Sequence, residues 1–276
     1  MRQGFPVPVS YRRRKRWKFR RHAPLKWVLA LSLFAAVAVL VVLLLRGKAD
    51  AAQVQMAVSL PTSSPTALAT APPTPTPFQK KPASGYLILI NWDHPNPSTE
   101  RPQGLVTMGT LFTEELVTAN MDASINEVAG QALVQMFQDA KDAGIGQYII
   151  TSAYRSQSYQ QTMFDEMLAE DPDYGSDPYN NPVKVMSGRC TEHATGLAVD
   201  ILAENYKEAD DGYADTAEGR WLQENAPLYG FVVRYPLNKE HITGVIYEPW
   251  HIRYVGVDAA KEMTELGMCL EEYVEP

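Results

Sequence analysis

His193 and Asp200 stand seven residues apart in Thr191-Glu192-His193-Ala194-Thr195-Gly196-Leu197-Ala198-Val199-Asp200, and His251 lies in a second segment, Tyr247-Glu248-Pro249-Trp250-His251-Ile252-Arg253-Tyr254. Two imidazoles and one carboxylate form a ligand set for tetrahedral zinc that leaves one position open for water, the catalytic arrangement. Such a water needs a base that does not itself bind the metal, and Glu248, three residues before His251, is the candidate. Bound zinc brings the water's pKa towards ~7, so the base needs little further driving force. On spacing alone two other readings stay open: Asp200 as a buried, hydrogen-bonded carboxylate, and His251 as a core histidine. Cys190, three residues before His193, offers a rival Cys-x-x-His ligand pair; outside the cytoplasm its other reading is a disulfide with Cys269. Of the five histidines, His22 falls in a basic tail and His94 in a Pro-rich stretch, neither with ligand-spaced company.

These residues need elements that bring two distant segments together. If Leu197–Ile201 is a strand, Leu197, Val199 and Ile201 face one side while Ala198 and Asp200 face the other. Asp200 then lies on a face kept small by Ala198, and the loop before Gly196 can swing His193 onto it. Pro249 disfavours helix at Glu248, so the second segment reads as extended, with His251 and Arg253 on one face. Around them, Tyr86–Ile90, Gln147–Ala153, Gly196–Leu202, Phe231–Tyr235 and Val245–Tyr254 read as strands. The last two are joined by a turn through Asn238–Gly244. Ser124-Ile125-Asn126-Glu127 matches a capping box with Ser124 at the N-cap. It opens a core-facing helix whose Val128, Ala132, Leu133, Met136, Phe137 and Ala140 recur at helical spacing before Gly144. Ser158–Ala169, Thr216–Asn225 and Val257–Leu266 read as further helices, and 171–190 as a long loop rich in Pro and Gly. The irregular alternation and the hairpin-like last connection predict an α+β fold with a small antiparallel sheet and flanking helices.

Composition bounds the rest. The 276 residues are 45% apolar and 21% charged, enough for a packed core, which excludes global disorder. The net charge of −7 conceals an asymmetry. Residues 1–26 carry ten Lys/Arg and no acid, whereas the part after Arg46 holds 14 basic against 32 acidic residues. Nucleic acid is thereby excluded as a main partner of the acidic bulk. Two cysteines are too few for a disulfide scaffold or a four-cysteine zinc module. Trp27–Leu45 is an uncharged apolar run of 19 residues. As a helix it would span about 28 Å, close to the ~30 Å hydrocarbon core. With the basic block on its inner side it reads as a transmembrane anchor; a cleaved signal peptide is the competing reading. The expected organisation is a cytoplasmic tail over 1–26, a membrane anchor over 27–45, a Pro/Ser/Thr-rich stalk over 46–84 and a globular domain over 85–276. That puts the domain outside the cytoplasm on a single-pass protein of the cell membrane.

Thr191–Ile201, Tyr154-Arg155-Ser156 and Tyr247–Gly256 resemble the three motif blocks of VanY-type D-alanyl-D-alanine carboxypeptidases, and Trp221–Tyr235 and Lys239–Gly244 extend the resemblance across about 85–276, in the family's order. The resemblance implies a zinc peptidase of the hedgehog/D,D-peptidase fold, with one zinc ion, that trims peptidoglycan stem peptides. It implies His193, Asp200 and His251 as ligands, Glu248 as catalytic base and Arg155 as the group that holds the substrate's terminal carboxylate. A planar guanidinium pairs with a carboxylate bidentately, which suits an exopeptidase. Gln160 matches a position near the substrate in relatives, Ser187 is a further candidate contact, and His241 reads as structural. Thr191 departs from the Ser usual two residues before the first His; it keeps the hydroxyl and adds a methyl that tightens the pocket. The resemblance leaves L,D-carboxypeptidase and D,D-dipeptidase activities as alternatives. A catalytically inactive wall-binding module is the rival outside enzymes, and the presence of Glu248 argues against it.

Overall fold

The computed structural model describes residues 78–276. The expected basic tail, the apolar span over 27–45 and the stalk as far as residue 77 lie outside the described residues. Among the described residues no helix is long and apolar enough to cross a membrane. Strands β1 (Lys81–Pro82), β2 (Leu105–Thr107), β3 (Val117–Ala119) and β4 (Ser124–Asn126) precede helix α1 (Glu127–Asp142). Then follow β5 (Tyr148–Ser152), α2 (Gln157–Glu170), β6 (Ala198–Ala203), α3 (Ala217–Asn225), β7 (Phe231–Val233) and α4 (Glu240–Thr243). The chain closes with β8 (His251–Tyr254), α5 (Val257–Leu266), α6 (Leu270–Tyr273) and β9 (Val274–Glu275).

The α+β class stands, but the sheets are mixed rather than antiparallel. The central sheet has the order β3-β5-β6-β8-β7, and its β3–β5 pair is parallel while the other pairs are antiparallel. The reason lies in the connection: β3 reaches β5 through α1, and a helical crossover returns the chain in the same direction. A second parallel pair joins β1 to β9. Phe78 stacks on Tyr273 with ring centroids 5.3 Å apart, so contacts of the folded unit start ahead of residue 85.

Leu133, Met136, Phe137 and Ala140 of α1 pack with Tyr148, Ile150, Leu197, Val199, Ile201 and Ile252 of the sheet region in one buried cluster. Full burial of each such aliphatic or aromatic side chain is worth about 1.5–3 kcal/mol. The inward set Leu197, Val199 and Ile201 thus takes the core side of β6, as the alternation requires. Val128, expected in the core stripe of α1, is exposed instead.

Four local expectations are corrected. Tyr86–Ile90 is no strand: a single 3-10 turn covers Gly85–Leu87, and the Tyr86 and Ile88 carbonyls accept from Arg253 Nη2 at 3.0 and 2.9 Å. An arginine fork takes the place of a neighbouring strand. The N-cap of α1 is Asn126, whose Oδ1 accepts from the Val128 and Ala129 N–H groups, because Ser124 is held in β4 by pairing with β2. Residues 245–250 are not part of β8; Val245 instead bridges to Val183 of the long loop, and α4 fills the expected turn. Both cysteines are free and buried: Cys190 packs with Met186, Tyr235 and Val245, and Cys269 caps α6.

Candidate active site

The ladder between β6 and β8 sets Asp200 opposite His251. His251 Nδ1 lies 3.0 Å from Asp200 Oδ1. The third member comes from a 3-10 turn, Glu192–Thr195, capped by the Thr191 hydroxyl, which accepts from the His193 N–H at 3.3 Å. Gly196 ends that turn with φ of 72°, a conformation that favours glycine, and so reverses the chain into β6. His193 Nε2 then lies 3.3 Å from Asp200 Oδ2. One donor atom from each of the three residues falls within 4.8 Å of the others, the one such group of three among the described residues.

Orientation fits a cation. His193 Nδ1 lies 2.7 Å from the Ala153 carbonyl oxygen. A carbonyl only accepts, so Nδ1 carries the proton and Nε2 offers its lone pair to the cluster. Within this cluster, His193 Nε2, Asp200 Oδ1 and His251 Nε2 are buried and make no hydrogen bond. Buried polar atoms are rarely left unpaired, and a divalent cation held by His193 Nε2, Asp200 and the inward-facing His251 Nδ1 accounts for the unpaired His193 Nε2 and Asp200 Oδ1. Burial, then the Arg155 charge, pulls the His193 pKa down to about 4, so the imidazole is neutral at pH 7 and ready to ligate.

Glu248 arrives by a turn, not by the expected extended segment. The His251 N–H donates to the Glu248 carbonyl at 3.1 Å, with Pro249 and Trp250 at the corners, which suits proline's fixed φ. This places Glu248 Oε2 3.7 Å from His251 Nδ1. The side chain is buried, and its carboxyl sits well above the usual range because of burial and the nearby Asp200 charge, opposed by Lys184 and Arg155. Lys184 Nζ lies 4.9 Å from the centre of the Trp250 ring.

Arg155 lies just ahead of α2, where Ser156 caps the helix by accepting from the Tyr159 N–H. The Arg155 N–H donates to the His193 carbonyl, and its Nη2 comes within 3.8 Å of Asp200 Oδ2. Its Nε is buried without a hydrogen bond, a donor available to an anion. Gln160 is buried, not on an open helix face; its Nε2 donates to the Met186 carbonyl at 2.8 Å and so fastens the long loop, while Oε1 has no partner. Ser187, one residue on, accepts from the Cys190 N–H through its carbonyl. His241 is exposed on α4, and His94 bonds Asn91, so neither joins the cluster.

Sequence reasoning missed the groups behind the site. Glu192, Arg234 and Arg253 are buried and paired. The signal was available: Arg234 interrupts the apolar run Phe231–Tyr235, and a charge inside a buried strand needs a partner.

The family model for VanY D-alanyl-D-alanine carboxypeptidases matches residues 122–257. A D-alanyl-D-alanine carboxypeptidase of Enterococcus faecium is 34% identical over 196 residues, spanning 69% of this chain and 58% of that protein. Among solved structures, the LdcB LD-carboxypeptidase, described for its peptidoglycan recognition, is 35% identical with a TM-score of 0.59. That similarity covers 68% of this chain and 86% of LdcB. A mutant of the vancomycin-resistance D,D-pentapeptidase VanY from a VanB-type cassette, in complex with Zn(II), is 34% identical with a TM-score of 0.54. Here the similarity covers 68% of this chain and 98% of that one.

Proposed function

Because the chain belongs to the VanY family of D-alanyl-D-alanine carboxypeptidases, we propose that it is a zinc-dependent, membrane-anchored D,D-carboxypeptidase that removes the terminal D-alanine from peptidoglycan stem peptides. His193, Asp200 and His251 hold the ion. When bound, zinc supplies a Lewis acid that acidifies water and balances the charge developing on the scissile carbonyl oxygen. Glu248 takes the proton from the attacking water as the new C–O bond forms. It returns that proton to the leaving amine nitrogen as the C–N bond breaks. Burial and the Asp200 charge raise this carboxyl, which favours its return of the proton in the second half. Arg155 pairs with the free terminal carboxylate, which restricts cleavage to the last peptide bond.

The observation that carries this reading is the meeting of three chain segments: Glu248 Oε2 and Arg155 Nη2 each lie within 4 Å of a member of the His193–Asp200–His251 cluster. The similarity to LdcB supports a second reading, L,D release from tetrapeptides, which uses the same residues. The test is release of terminal amino acid by the full-length chain, with and without chelator, from a pentapeptide ending D-Ala-D-Ala and a tetrapeptide ending in one D-Ala. Chelator-sensitive release from the pentapeptide supports the first reading, and release from the tetrapeptide alone supports the second. The basic block, the apolar run over 27–45 and the uncharged stalk support anchoring with the catalytic domain outside the cytoplasm. Recovery of the chain in the soluble fraction after cell lysis would overturn the anchor.

A further inference from the structure

We infer that Arg234 and Glu271 are positioning residues of the metal centre, so that helix α6, near the end of the chain, is a working part of the site. This rests on the metal reading above. The two ligand-bearing segments are tied together from behind by four charges, Glu192, Arg234 and Arg253 buried and Glu271 partly so. Glu192, next to His193, receives Arg234 Nε at 2.8 Å on its Oε1, and Arg253 Nη1 lies 2.7 Å from the same atom. Arg253 stands two residues past His251 on the same face of β8, opposite Ala198, whose small side chain leaves room for a long one. Arg234 is the hub. Its backbone N–H donates to the His251 carbonyl at 3.1 Å, and its guanidinium lies 5.0 Å from the Tyr235 ring centre. The Tyr235 ring in turn lies 4.9 Å from that of His251. Arg234 thus reaches both ligand-bearing segments: the His251 carbonyl directly, and Glu192, the residue beside His193.

Its far end leads to α6. Nη1 and Nη2 bond Glu271 Oε2 and Oε1 at 2.8 and 2.7 Å, a bidentate fork. Asn91 Nδ2 adds a bond to Glu271 Oε1 at 3.2 Å, and Lys80 Nζ donates to the Glu271 carbonyl at 3.1 Å. With β1 paired to β9, the start and the end of the folded unit are knitted to each other and, through one carboxylate, to the guanidinium between the ligands. Two acids and two bases balance in charge, and removing one partner strands the others in a medium where unpaired charge is costly. Groups outside the ligand shell typically tune metal affinity 10–100-fold by orienting the ligands.

The test uses the full-length chain with Glu271→Gln and Arg234→Lys. Phe137→Leu, a loosened residue in the α1 packing, is the control for general destabilisation. Zinc affinity is read by competition with a chromogenic chelator, and ligand geometry by the absorption bands of the cobalt(II)-substituted protein. Both network variants are expected to bind zinc about tenfold or more weakly and to shift the cobalt bands, while Phe137→Leu keeps both at an equal or greater loss of melting temperature. Network variants with the parent's zinc affinity and cobalt spectrum, or a control weakened as much as they are, would overturn the inference. Glu271→Gln preserves side-chain size at a partly exposed position and carries the test if Arg234→Lys does not fold. A folded parent that binds neither ion would instead bring down the metal reading itself.

Discussion

Asp200 and His251 are direct cross-strand partners on β6 and β8, with His251 Nδ1 3.0 Å from Asp200 Oδ1. Two of the three proposed ligand positions are therefore fixed by a backbone ladder. A slip of one residue in that register would turn one of them to the opposite face of the sheet. His193 is held differently. It hangs on a short turn whose exit depends on Gly196, so the geometry of the third proposed ligand is the more easily disturbed.

Gly196→Ala tests that dependence. The left-handed backbone costs an alanine ~1–2 kcal/mol, and the added Cβ would collide with Leu105 Cδ2. Overpacking of this kind adds ~1–3 kcal/mol. The variant is expected to lower the urea midpoint accordingly and to weaken zinc binding, because the turn must shift to relieve the contact. An unchanged midpoint would show that Leu105 moves aside at no cost.

Glu248→Gln should separate proton transfer from metal binding. The amide matches the carboxylate in shape but cannot take a proton. Turnover is expected to fall about 10²–10⁴-fold while zinc content by atomic absorption stays at the parent's level. A variant that keeps its rate would remove Glu248 from the mechanism. One that loses zinc would make it a ligand.

Arg155 should govern the choice of substrate end. Arg155→Lys keeps the charge and loses the planar fork, so KM for a peptide with a free terminal carboxylate is expected to rise about tenfold or more. The parent enzyme should discriminate in the same sense against the corresponding C-terminal amide, and the lysine variant should discriminate less. Equal KM values for acid and amide on the parent would dismiss the carboxylate role.

The cluster was legible in part: residue type and short spacing raised His193, Asp200, Glu248 and His251 as a zinc set with other readings open, the family resemblance singled them out, and the structure brings the four together. Helix α1 was legible from its apolar periodicity and Gly144, and α5 from Gly267, while Ser158–Ala169 and Thr216–Asn225 read as helices and correspond to α2 and α3. What stayed hidden depends on partners far away in the chain. The strand expected at Tyr86–Ile90 failed because its carbonyls bond Arg253, more than 160 residues on. The parallel β3–β5 pair needed the α1 crossover, which no local pattern of three residues encodes. Glu271 stands 37 residues from Arg234 with no local pattern that joins them, and only the fold delivers it there.

Acid should unfold the metal-free protein through His193. Its folded pKa, about 4, lies below the ordinary 6.5, so between these values the unfolded chain binds the proton and the folded one does not. Stability from this group is complete above pH 6.5 and is lost as pH falls towards 4, on the order of 3 kcal/mol in all. Two neighbours titrate with other signs or in other windows. Burial would raise the Glu192 carboxyl, but Arg234 and Arg253 more than offset it and hold it below 4.5, so its contribution is lost only at lower pH. Glu248 is shifted the other way, and its ionisation costs stability as pH rises above 4.5, which opposes the His193 slope. The comparison is therefore made in the Glu248→Gln background, with chelator present. There the urea stability should climb from pH 4 to 6.5, and adding His193→Gln should flatten the climb. A slope that survives the loss of His193 would assign the acid sensitivity to another group.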